Sequence, residues 1–347
     1  MTVLVLTRAS DAVADLVIGE LNDRAVPLVR LDPGDFPEHL TIRARTGPGT
    51  ATWHGALRGQ YRDLDLGDVH AVYYRRPSAH RLAAALSADD AAWAHSEARA
   101  GLGGLLAALD CTWVNHPHRN AYAALAPVAL ATAARCGLTV PRTLITNDPD
   151  EARAFVGDLP GKMAAYKSLG PGGPTAYAGS PYALWTTQVR VDDIDDSVRL
   201  TAHQFQQWIP KAYEVRLTAV DDRMFAAEIH AGTDAAAVDF RTDYDSLTYR
   251  LRTVPEHIAD GMYRLLGELG LRYAASDFLV SQDDGGWYLV DVNPNGQFGF
   301  IPELRTPIAR ALADLLEGTA HDHHRIGRAA TPPHGRSARR RGNPALD

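Results

Sequence analysis

The sequence predicts an α/β protein with more than one lobe, and three observations support that prediction. Its 347 residues exceed what one compact hydrophobic core needs. Near the start, an apolar run, an amphipathic stretch and a second apolar run follow within about thirty residues, the pattern of a βαβ unit in a parallel sheet. Farther along, a strand-rich middle precedes a helix and two strands, which indicates a mixed central lobe and a C-terminal α/β lobe.

Each element rests on its own pattern. The apolar runs at 3–6, 26–31 and 71–74 predict strands, and residues 40–45 and 53–57 alternate as half-buried strands do. Helices are predicted at 11–22, 87–109, 120–136, 254–269 and 307–316. Further strands are predicted at 140–146, 274–280 and 287–292, and residues 147–252 are predicted to be mostly strand.

The composition argues against several classes of partner. Lys+Arg 35 against Asp+Glu 42 gives a formal net charge of −7, which does not favour nucleic acid or anionic membranes. No apolar run approaches the roughly 20 residues of a membrane helix, and the first run is too short for a signal peptide. We therefore expect a cytoplasmic protein. Cys111 and Cys136 lack zinc or redox spacing and are expected to be reduced, buried thiols.

Two acidic residues interrupt predicted strands near the C-terminal end. Asp277 lies in one strand, and Asp291 and Asn293, spaced i, i+2, share one face of the next. Two carboxylates and an amide oxygen form the ligand type that Mg²⁺ prefers when phosphates complete its shell. The alternative is a pair of solvated turn and edge residues, but acids within apolar strands are costly to bury without a cation. The pattern therefore predicts a magnesium site.

A lysine precedes a glycine-rich stretch. Lys167 is followed by Gly170, Gly172 and Gly173, so its side chain can neutralise phosphate charge while the loop folds over it. The order is not that of a Walker A loop. Taken alone, the motif is a weak signal, and a surface lysine before an ordinary loop is the better interpretation of it.

The run 204–210, Gln-Phe-Gln-Gln-Trp-Ile-Pro, suits a purine site. It is an apolar hinge whose amide edges can hydrogen-bond a base. Glu214 and Arg216 follow at i, i+2 on one strand face, where the carboxylate suits ribose hydroxyls and the guanidinium a phosphate oxygen. A plain surface ion pair is the alternative for this motif.

The sequence resembles the ATP-grasp superfamily in the order of these motifs. A phosphate lysine with its loop comes first, then a purine hinge, an acid-x-Arg strand and the metal acids. Within this superfamily, the chain resembles the maturases of graspetides, which are ribosomal peptides with side-chain ester or amide links, in their actinobacterial type. The motifs that carry this narrower resemblance lie at 73–77, 113–117, 137–147, 211–216, 239–241 and 291–297. The Arg-Arg-Pro at 75–77 and the Asn-Pro-Asn-Gly-Gln at 293–297 are the most specific.

The resemblance implies an ATP-grasp fold with an N-terminal α/β (pre-ATP-grasp) lobe at 1–118, a mixed central lobe at 119–210 and a C-terminal α/β lobe at 211–318. It implies ATP and Mg²⁺ as cofactors, with the metal held by Asp277, Asp291 and Asn293. The implied nucleotide contacts are Lys167, Gln206, Gln207, Trp208, Ile209, Glu214, Arg216 and Asn293.

Four arginines receive further roles from the resemblance. It implies that Arg216 and Arg241 stabilise the transferring phosphoryl group. It implies that Arg75 and Arg76 face the cleft and bind substrate carboxylates; a surface basic pair packed under Pro77 is the alternative.

Two positions depart from the family pattern. Where the family carries a second phosphate lysine in a Lys-Pro-x-Gln-Leu setting, this chain has Ala126 before its proline, and the glutamine is also absent. Losing a phosphate-bound cation is expected to weaken ATP binding or slow transfer. Arg119 and Arg135 are the nearest candidates to replace it. The other departure is Asp291, where a glutamate is common.

The implied activity is that of an ATP-dependent ligase. An Asp or Glu side chain of a ribosomal precursor peptide, with a leader and an acidic core, is phosphorylated, and a Ser, Thr or Lys side chain then closes a macrocyclic ester or amide. The alternatives are a RimK-like ligase that joins separate molecules and a catalytically impaired relative that binds nucleotide or peptide. A homo-oligomer, a dimer, is expected, and the basic tail at 319–347 is predicted to be disordered.

Overall fold

A computed structural model describes residues 1–170 and 185–318, and it adds the backbone of two short strands between these ranges. The predicted tail at 319–347 and the glycines at 172 and 173 of the predicted phosphate loop lie outside the described residues. Among the described residues, no helix is long and apolar enough to cross a membrane.

The N-terminal lobe contains the predicted parallel sheet, with strand order β2-β1-β6-β7. A separate antiparallel sheet contains β3, β4 and β5. A π-helical segment at Arg99–Gly103 joins α2 to α3, so that the predicted long helix is confirmed. The elements are β1 (Thr2–Leu6), α1 (Ala12–Asp23), β2 (Leu28–Leu31), β3 (Leu40–Arg45), β4 (His54–Gly59), β5 (Asp63–Asp65), β6 (Val69–Tyr74), α2 (Ala88–Ala98), α3 (Gly104–Ala107) and β7 (Thr112–Val114).

The helix predicted at 120–136 is two helices, α4 (Pro117–Ala123) and α5 (Ala126–Arg135). The break falls at Leu125, whose backbone is extended. Pro127 causes it, because its ring would clash with the carbonyl four residues earlier in a continuous helix. Gly137, at φ +83°, ends α5 in the left-handed conformation, as predicted.

The central lobe is a four-stranded antiparallel sheet with order β12-β9-β13-β8. The prediction of mostly strand was wrong at α6, although Asp148 caps this helix and Pro149 starts it, which are ordinary helix-start signals. The elements are β8 (Thr143–Thr146), α6 (Pro149–Asp158), β9 (Met163–Lys167), β10 (Thr175–Tyr177), β11 (Ser180–Tyr182), β12 (Thr187–Arg190) and β13 (His203–Gln207).

The C-terminal lobe is a five-stranded antiparallel sheet with order β16-β15-β14-β17-β18. Its last helix begins at Pro302 rather than at the predicted residue 307, so that Pro307 lies inside the helix. The elements are β14 (Lys211–Val220), β15 (Arg223–His230), α7 (Asp234–Val238), β16 (Thr248–Arg252), α8 (Glu256–Leu269), β17 (Tyr273–Ser281), β18 (Trp287–Asn293) and α9 (Pro302–Glu317).

Two apolar cores bind this sheet to its surroundings. On one face, α5 and α8 pack against β14, β17 and β18. On the other face, Val220 and Tyr273 share a core with α9 and with Val5 and Val17 of the N-terminal lobe. The expected boundaries assign α5 to the central lobe, whereas its apolar side packs on the C-terminal sheet; the boundaries themselves stay a prediction.

Candidate active site

A row of three charged residues crosses the C-terminal sheet. Arg216 on β14 pairs in register with Asp277 on β17, and Asp277 pairs in register with Asp291 on β18. Residues paired in this way project their side chains from the same face. The Nε atom of Arg216 lies 3.0 Å from Oδ1 of Asp277. The predicted arginine and both predicted metal acids are therefore brought together.

The Asp277 carboxylate lies within ion-pair distance of Arg216, but its Oδ1 accepts no hydrogen bond. Its side chain is 15% exposed. Burial raises the pKa of Asp277 to about 7, and the Asp291 carboxylate adds to that rise while Arg216 opposes it. Despite their short separation, Arg216 Nε and Asp277 Oδ1 are each without a hydrogen bond. A cation beside Asp277 and Asp291 would supply a partner for Oδ1 of Asp277.

Asn293 completes a set of oxygen ligands. It lies on β18 in register with Ala275, and its Oδ1 accepts a hydrogen bond of 3.0 Å from the Asn295 N–H, which leaves a second lone pair. Within residues 1–170 and 185–318, no group of three or more His, Cys, Asp or Glu could hold a metal. Two carboxylates and one amide fit Mg²⁺, which takes few protein ligands and completes its shell with phosphate and water oxygens.

Lys167 reaches this face from the central lobe. Its Nζ donates to Oε1 of Gln206 at 2.9 Å and to the carbonyl of Val290 at 3.4 Å. Burial lowers the pKa of Lys167, and the Asp291 and Asp277 carboxylates oppose that shift. An ammonium group that bridges the two lobes beside both acids suits the phosphates of a nucleotide bound between the sheets.

The Gln206 side chain does not fit its expected contact with ATP. The residue is 1% exposed. Its amide oxygen accepts from Lys167, and its amide nitrogen donates to Oγ1 of Thr143 at 3.0 Å. Both ends of the amide are occupied, so in this structure Gln206 orients Lys167.

The chain crosses from the central sheet to the C-terminal sheet at the predicted hinge, between β13 and β14. The Gln207 N–H donates to the Arg142 carbonyl at 2.7 Å, and the Trp208 N–H donates to the Met163 carbonyl at 3.4 Å. Ile209 is buried, whereas the side chains of Gln207 and Trp208 are half-buried. These positions suit the edge of a base.

Glu214 is buried where β14 leaves the hinge. Its Oε1 accepts a 2.7 Å hydrogen bond from Lys211, whose Nζ also donates to the carbonyl of Val238 at 3.3 Å. Burial raises the pKa of Glu214, and Lys211 opposes the shift. A cavity of about 180 Å³ lies beside this pair, bounded by β14, β15 and α7. A ribose there would meet an acceptor that is already fixed in place.

Arg241 is held by its neighbour Asp239. Its Nε and Nη2 donate to the two carboxylate oxygens at 2.8 and 2.5 Å. Burial opposes ionisation of Asp239, but these bonds outweigh it and lower the pKa of Asp239 to about 2. The guanidinium of Arg241 lies 5.4 Å from the centre of the Trp185 ring. Arg241 is therefore a preorganised cation.

Aromatic rings hold the guanidinium of Arg216. Its central carbon lies 5.7 Å from the centre of the Phe240 ring and 5.3 Å from that of Phe300. The two rings stack on each other at 5.8 Å, and Tyr244 meets both edge-on. These rings fix the orientation of the Arg216 guanidinium. Its Nε atom has no hydrogen bond, although Asp277 is close to it.

The two arginines expected to bind substrate occupy different environments. Arg76 is exposed. Arg75 is 1% exposed, and its guanidinium donates to the carbonyls of Asn295 and Gly296 and to Oδ1 of Asn295. The expectation that Arg75 faces the cleft is wrong, because the N-terminal sheet packs it against the C-terminal lobe. The surface alternative is wrong for Arg75 for the same reason.

Arg119 and Arg135 were the expected replacements for the lysine that is absent at Ala126. Ala126 starts α5, which packs against β18. Arg119 lies beside Gly270, and Arg135 donates to Oγ1 of Thr132 at 3.0 Å. Arg135 therefore has a partner within α5, and the Arg119 side chain lies against the C-terminal end of α8.

Several residues of the site were not singled out from the sequence. Phe240 and Asp239 lie in a motif quoted for the resemblance but had received no role. Lys211 and Asn115 also lie in quoted motifs without a role, and the contacts of Asn115, described below, span more than 150 residues of sequence. Nothing in the local pattern marks Phe300.

A parallel sheet in the N-terminal lobe, followed by antiparallel sheets in the central and C-terminal lobes, matches the ATP-grasp fold. Proteins that resemble the chain are ATP-dependent ligases of this fold. The model of the MvdD pre-ATP-grasp domain matches residues 2–121. Comparison with curated protein sequences gave no match. The predicted fold class and the resemblance to ATP-grasp ligases of ribosomal peptides are confirmed, and the actinobacterial type stays a prediction.

Three solved structures illustrate the similarity. A RiPP-associated ATP-grasp ligase of Chryseobacterium gregarium, in complex with ADP and a leader and core peptide, is 25% identical with a TM-score of 0.84, over 92% of this chain and 97% of that one. The macrocyclase MdnC of Microcystis aeruginosa, bound with precursor peptide MdnA, is 24% identical with a TM-score of 0.80, over 92% and 100%. The ligase PsnB, complexed with a precursor variant, Mg and ADP, is 22% identical with a TM-score of 0.69, over 90% and 98%.

Proposed function

We propose that this chain is an ATP-dependent ligase that closes macrocyclic ester or amide links within a ribosomal precursor peptide. One observation carries the proposal: Arg216, Asp277 and Asp291 form a row in register across one sheet, and Lys167 reaches the same place from the facing lobe. The related ligases were solved with ADP, with Mg or with precursor peptides. That combination supports ATP and Mg²⁺ as cofactors and a peptide as substrate.

The proposed reaction has two steps. A side-chain carboxylate of the peptide attacks the terminal phosphorus of ATP, which gives an acyl phosphate and ADP. A Ser or Thr hydroxyl, or a Lys amine, of the same peptide then attacks the acyl carbon and releases phosphate. Each ring removes one water from the peptide and converts one ATP to ADP and phosphate.

The residues of the site supply charge and position. Lys167 neutralises phosphate charge, and Arg216 and Arg241 stabilise the charge of the transferring phosphoryl group. Asp277, Asp291 and Asn293 hold Mg²⁺, which supplies further neutralisation of the phosphates when bound. The peptide holds its own nucleophile near the activated carboxyl, so much of the entropic barrier is removed by tethering.

Nucleotide recognition uses the hinge and the start of β14. Gln207, Trp208 and Ile209 meet the base, and the buried Glu214 accepts from the ribose hydroxyls. Arg76, the exposed member of the arginine pair, contacts the acidic core of the peptide. We also propose that the protein acts as a homodimer in the cytoplasm.

The test uses a short peptide that is encoded beside the gene and is rich in Thr and acidic residues. Incubation with the protein and Mg-ATP should lower the peptide mass by one water per ring and release one ADP for each. The matched control is the Asp291→Ala, Asn293→Ala double variant, which should give neither product. A product whose mass is the sum of two separate molecules would instead support a RimK-like ligase. Nucleotide binding without ADP formation, with the peptide present, would support an impaired relative.

A further inference from the structure

We infer that Arg75 and Asn115 are positioning residues of the N-terminal lobe, which fix the turn after Asn293 and thereby set how well the site holds Mg²⁺. The inference rests on the proposed function for the identity of the metal. It assigns a purpose to the two motifs that were most specific in the sequence, Arg-Arg-Pro and Asn-Pro-Asn-Gly-Gln.

Arg75 grips the turn from the side of β6. Its Nη1 donates to the carbonyl of Asn295 at 3.1 Å, to Oδ1 of Asn295 at 3.1 Å and to the carbonyl of Gly296 at 3.2 Å. Its Nη2 lies 3.5 Å from Oε1 of Gln297. In return, Nδ2 of Asn295 donates to the main-chain carbonyl of Arg75. The contact is reciprocal, so the side chain and the turn orient each other.

Asn115 grips the same turn from the end of β7. Its Nδ2 lies 2.8 Å from the carbonyl of Pro294 and 2.9 Å from that of Tyr273, and its Oδ1 accepts from the N–H groups of Arg272 and Tyr273. The Tyr273 hydroxyl donates to the carbonyl of Gly296 at 2.7 Å. The three successive carbonyls of residues 294–296 are thus all held by side chains.

The held turn determines the orientation of Asn293. The N–H of Asn295 donates to Oδ1 of Asn293, and the N–H of Gly296 donates to the Asn293 carbonyl at 3.2 Å. Gly296 has no room for a side chain, because a Cβ there would lie 2.5 Å from the Cβ of Ala275. A shift of the turn would therefore move the amide oxygen of Asn293, which is the proposed metal ligand.

The buried charge of Arg75 is hard to explain as packing alone. Its nearest carboxylate is Asp11, with Oδ2 at 3.6 Å from Nε, and that acid also caps α1 and accepts from Thr7. A buried ion pair adds little stability compared with apolar residues of similar size. A guanidinium adds a rigid, planar set of hydrogen-bond donors. Here those donors bind the carbonyls that follow Asn293, the proposed metal ligand.

The test measures Mg²⁺ binding rather than turnover. The parent protein and Arg75→Lys are titrated with AMPPNP by calorimetry, first in EDTA and then over a series of Mg²⁺ concentrations. Loss of ligand-orienting contacts costs about 10- to 100-fold in metal affinity. We expect Arg75→Lys to raise the half-saturating Mg²⁺ concentration about tenfold, with metal-free AMPPNP binding unchanged. Arg45→Lys, at an exposed arginine of β3 in the same lobe, is the matched control and should resemble the parent.

A second arm separates positioning from general destabilisation. Asn295→Ala removes the Asn295 side chain from the contact but leaves Arg75 its acceptors at the carbonyls of Asn295 and Gly296. It should raise the Mg²⁺ requirement in the same direction. In an Asn293→Ala background, Arg75→Lys should have no further effect on Mg²⁺ if it acts through Asn293. A folded Arg75→Lys or Asn295→Ala with the Mg²⁺ dependence of the parent would overturn the inference. A parent whose AMPPNP binding ignores Mg²⁺ would instead overturn the proposed function.

Discussion

Arg216 and Asp277 stand opposite each other on neighbouring strands with Nε and Oδ1 3.0 Å apart, yet neither atom has a hydrogen bond. The guanidinium lies over the rings of Phe240 and Phe300, whereas burial and the Asp291 charge both raise the pKa of Asp277. Because the two groups are close but form no hydrogen bond through these atoms, a cation can bind the carboxylate. The guanidinium then remains available to a phosphoryl group. Four predictions follow from the arrangement around this pair and from the docking of the lobes.

Asp277→Asn should stabilise the metal-free protein at high pH. The pKa of Asp277 is raised from 3.8 to about 7 on folding. As pH rises between these values, the unfolded chain binds fewer protons than the folded one, so the free energy of unfolding falls. The variant escapes this loss. Its advantage over the parent should therefore grow from about pH 4 and level off above about pH 7, as measured by urea unfolding in EDTA.

The control for that series is Asp283→Asn, an exposed aspartate in the turn between β17 and β18. It should leave the dependence of unfolding on pH unchanged. With saturating Mg²⁺ and AMPPNP the order should reverse, since the parent gains a bound cation and Asp277→Asn does not. Parallel pH curves for the parent and Asp277→Asn would contradict the prediction.

Lys167→Gln should lower the rate of ADP formation about 100-fold, because it removes a preorganised cation from the phosphates. The measurement is a coupled ADP assay with saturating peptide and varied ATP. Lys162→Gln, an exposed lysine just before β9, is the control and should keep the parent rate. Equal rates for both variants would show that Lys167 does not contribute to phosphoryl transfer.

Ala126→Lys should tighten binding of Mg-AMPPNP about fivefold, since one added cation near a polyphosphate is worth about 1 kcal/mol at a partly solvated site. Ala126 begins α5, the helix that packs on β18. Ala124→Lys, two residues earlier and exposed, is the control. The measurement is titration calorimetry. If Ala126→Lys binds Mg-AMPPNP no more tightly than Ala124→Lys, the start of α5 lies too far from the phosphates.

Asn115→Ala should lower the free energy of unfolding by about 3 kcal/mol, because it strips partners from several buried backbone groups at once. Asn115 is 2% exposed. Asn22→Ala, at an exposed position near the end of α1, should change stability by less than about 0.5 kcal/mol. Urea unfolding of both variants is the measurement, and similar midpoints would show that the two lobes do not depend on this contact.

The sequence was informative wherever the signal is local. Alternating or continuous apolar runs gave β1, β6, β17 and β18, and the i, i+2 spacing correctly placed Asp291 and Asn293 on one strand. The acid in the preceding strand then fell into register, because a short turn between antiparallel strands leaves few pairings.

Burial and long-range partners could not be predicted in this way. Arg75 looked available to a substrate, but its acceptors lie about 220 residues later in the chain. Gln206 looked like a base contact, but the neighbouring strand directs it to Lys167. The helix at α6 was missed for a different reason, since its start signals at Asp148 and Pro149 were present but were outweighed by the surrounding strand pattern.

The seam between Arg75, Asn115 and residues 293–297 matters to anyone who recombines such enzymes. A chimaera that takes its first lobe from one relative and its catalytic sheet from another is cut through this seam. In such a chimaera, the Arg75 guanidinium of one relative faces the carbonyls of residues 295 and 296 from another. Exchanging the 293–297 segment together with the first lobe keeps the donors and acceptors matched. The peptide preference of the chimaera can then be measured without a change in the orientation of Asn293 at the proposed metal site.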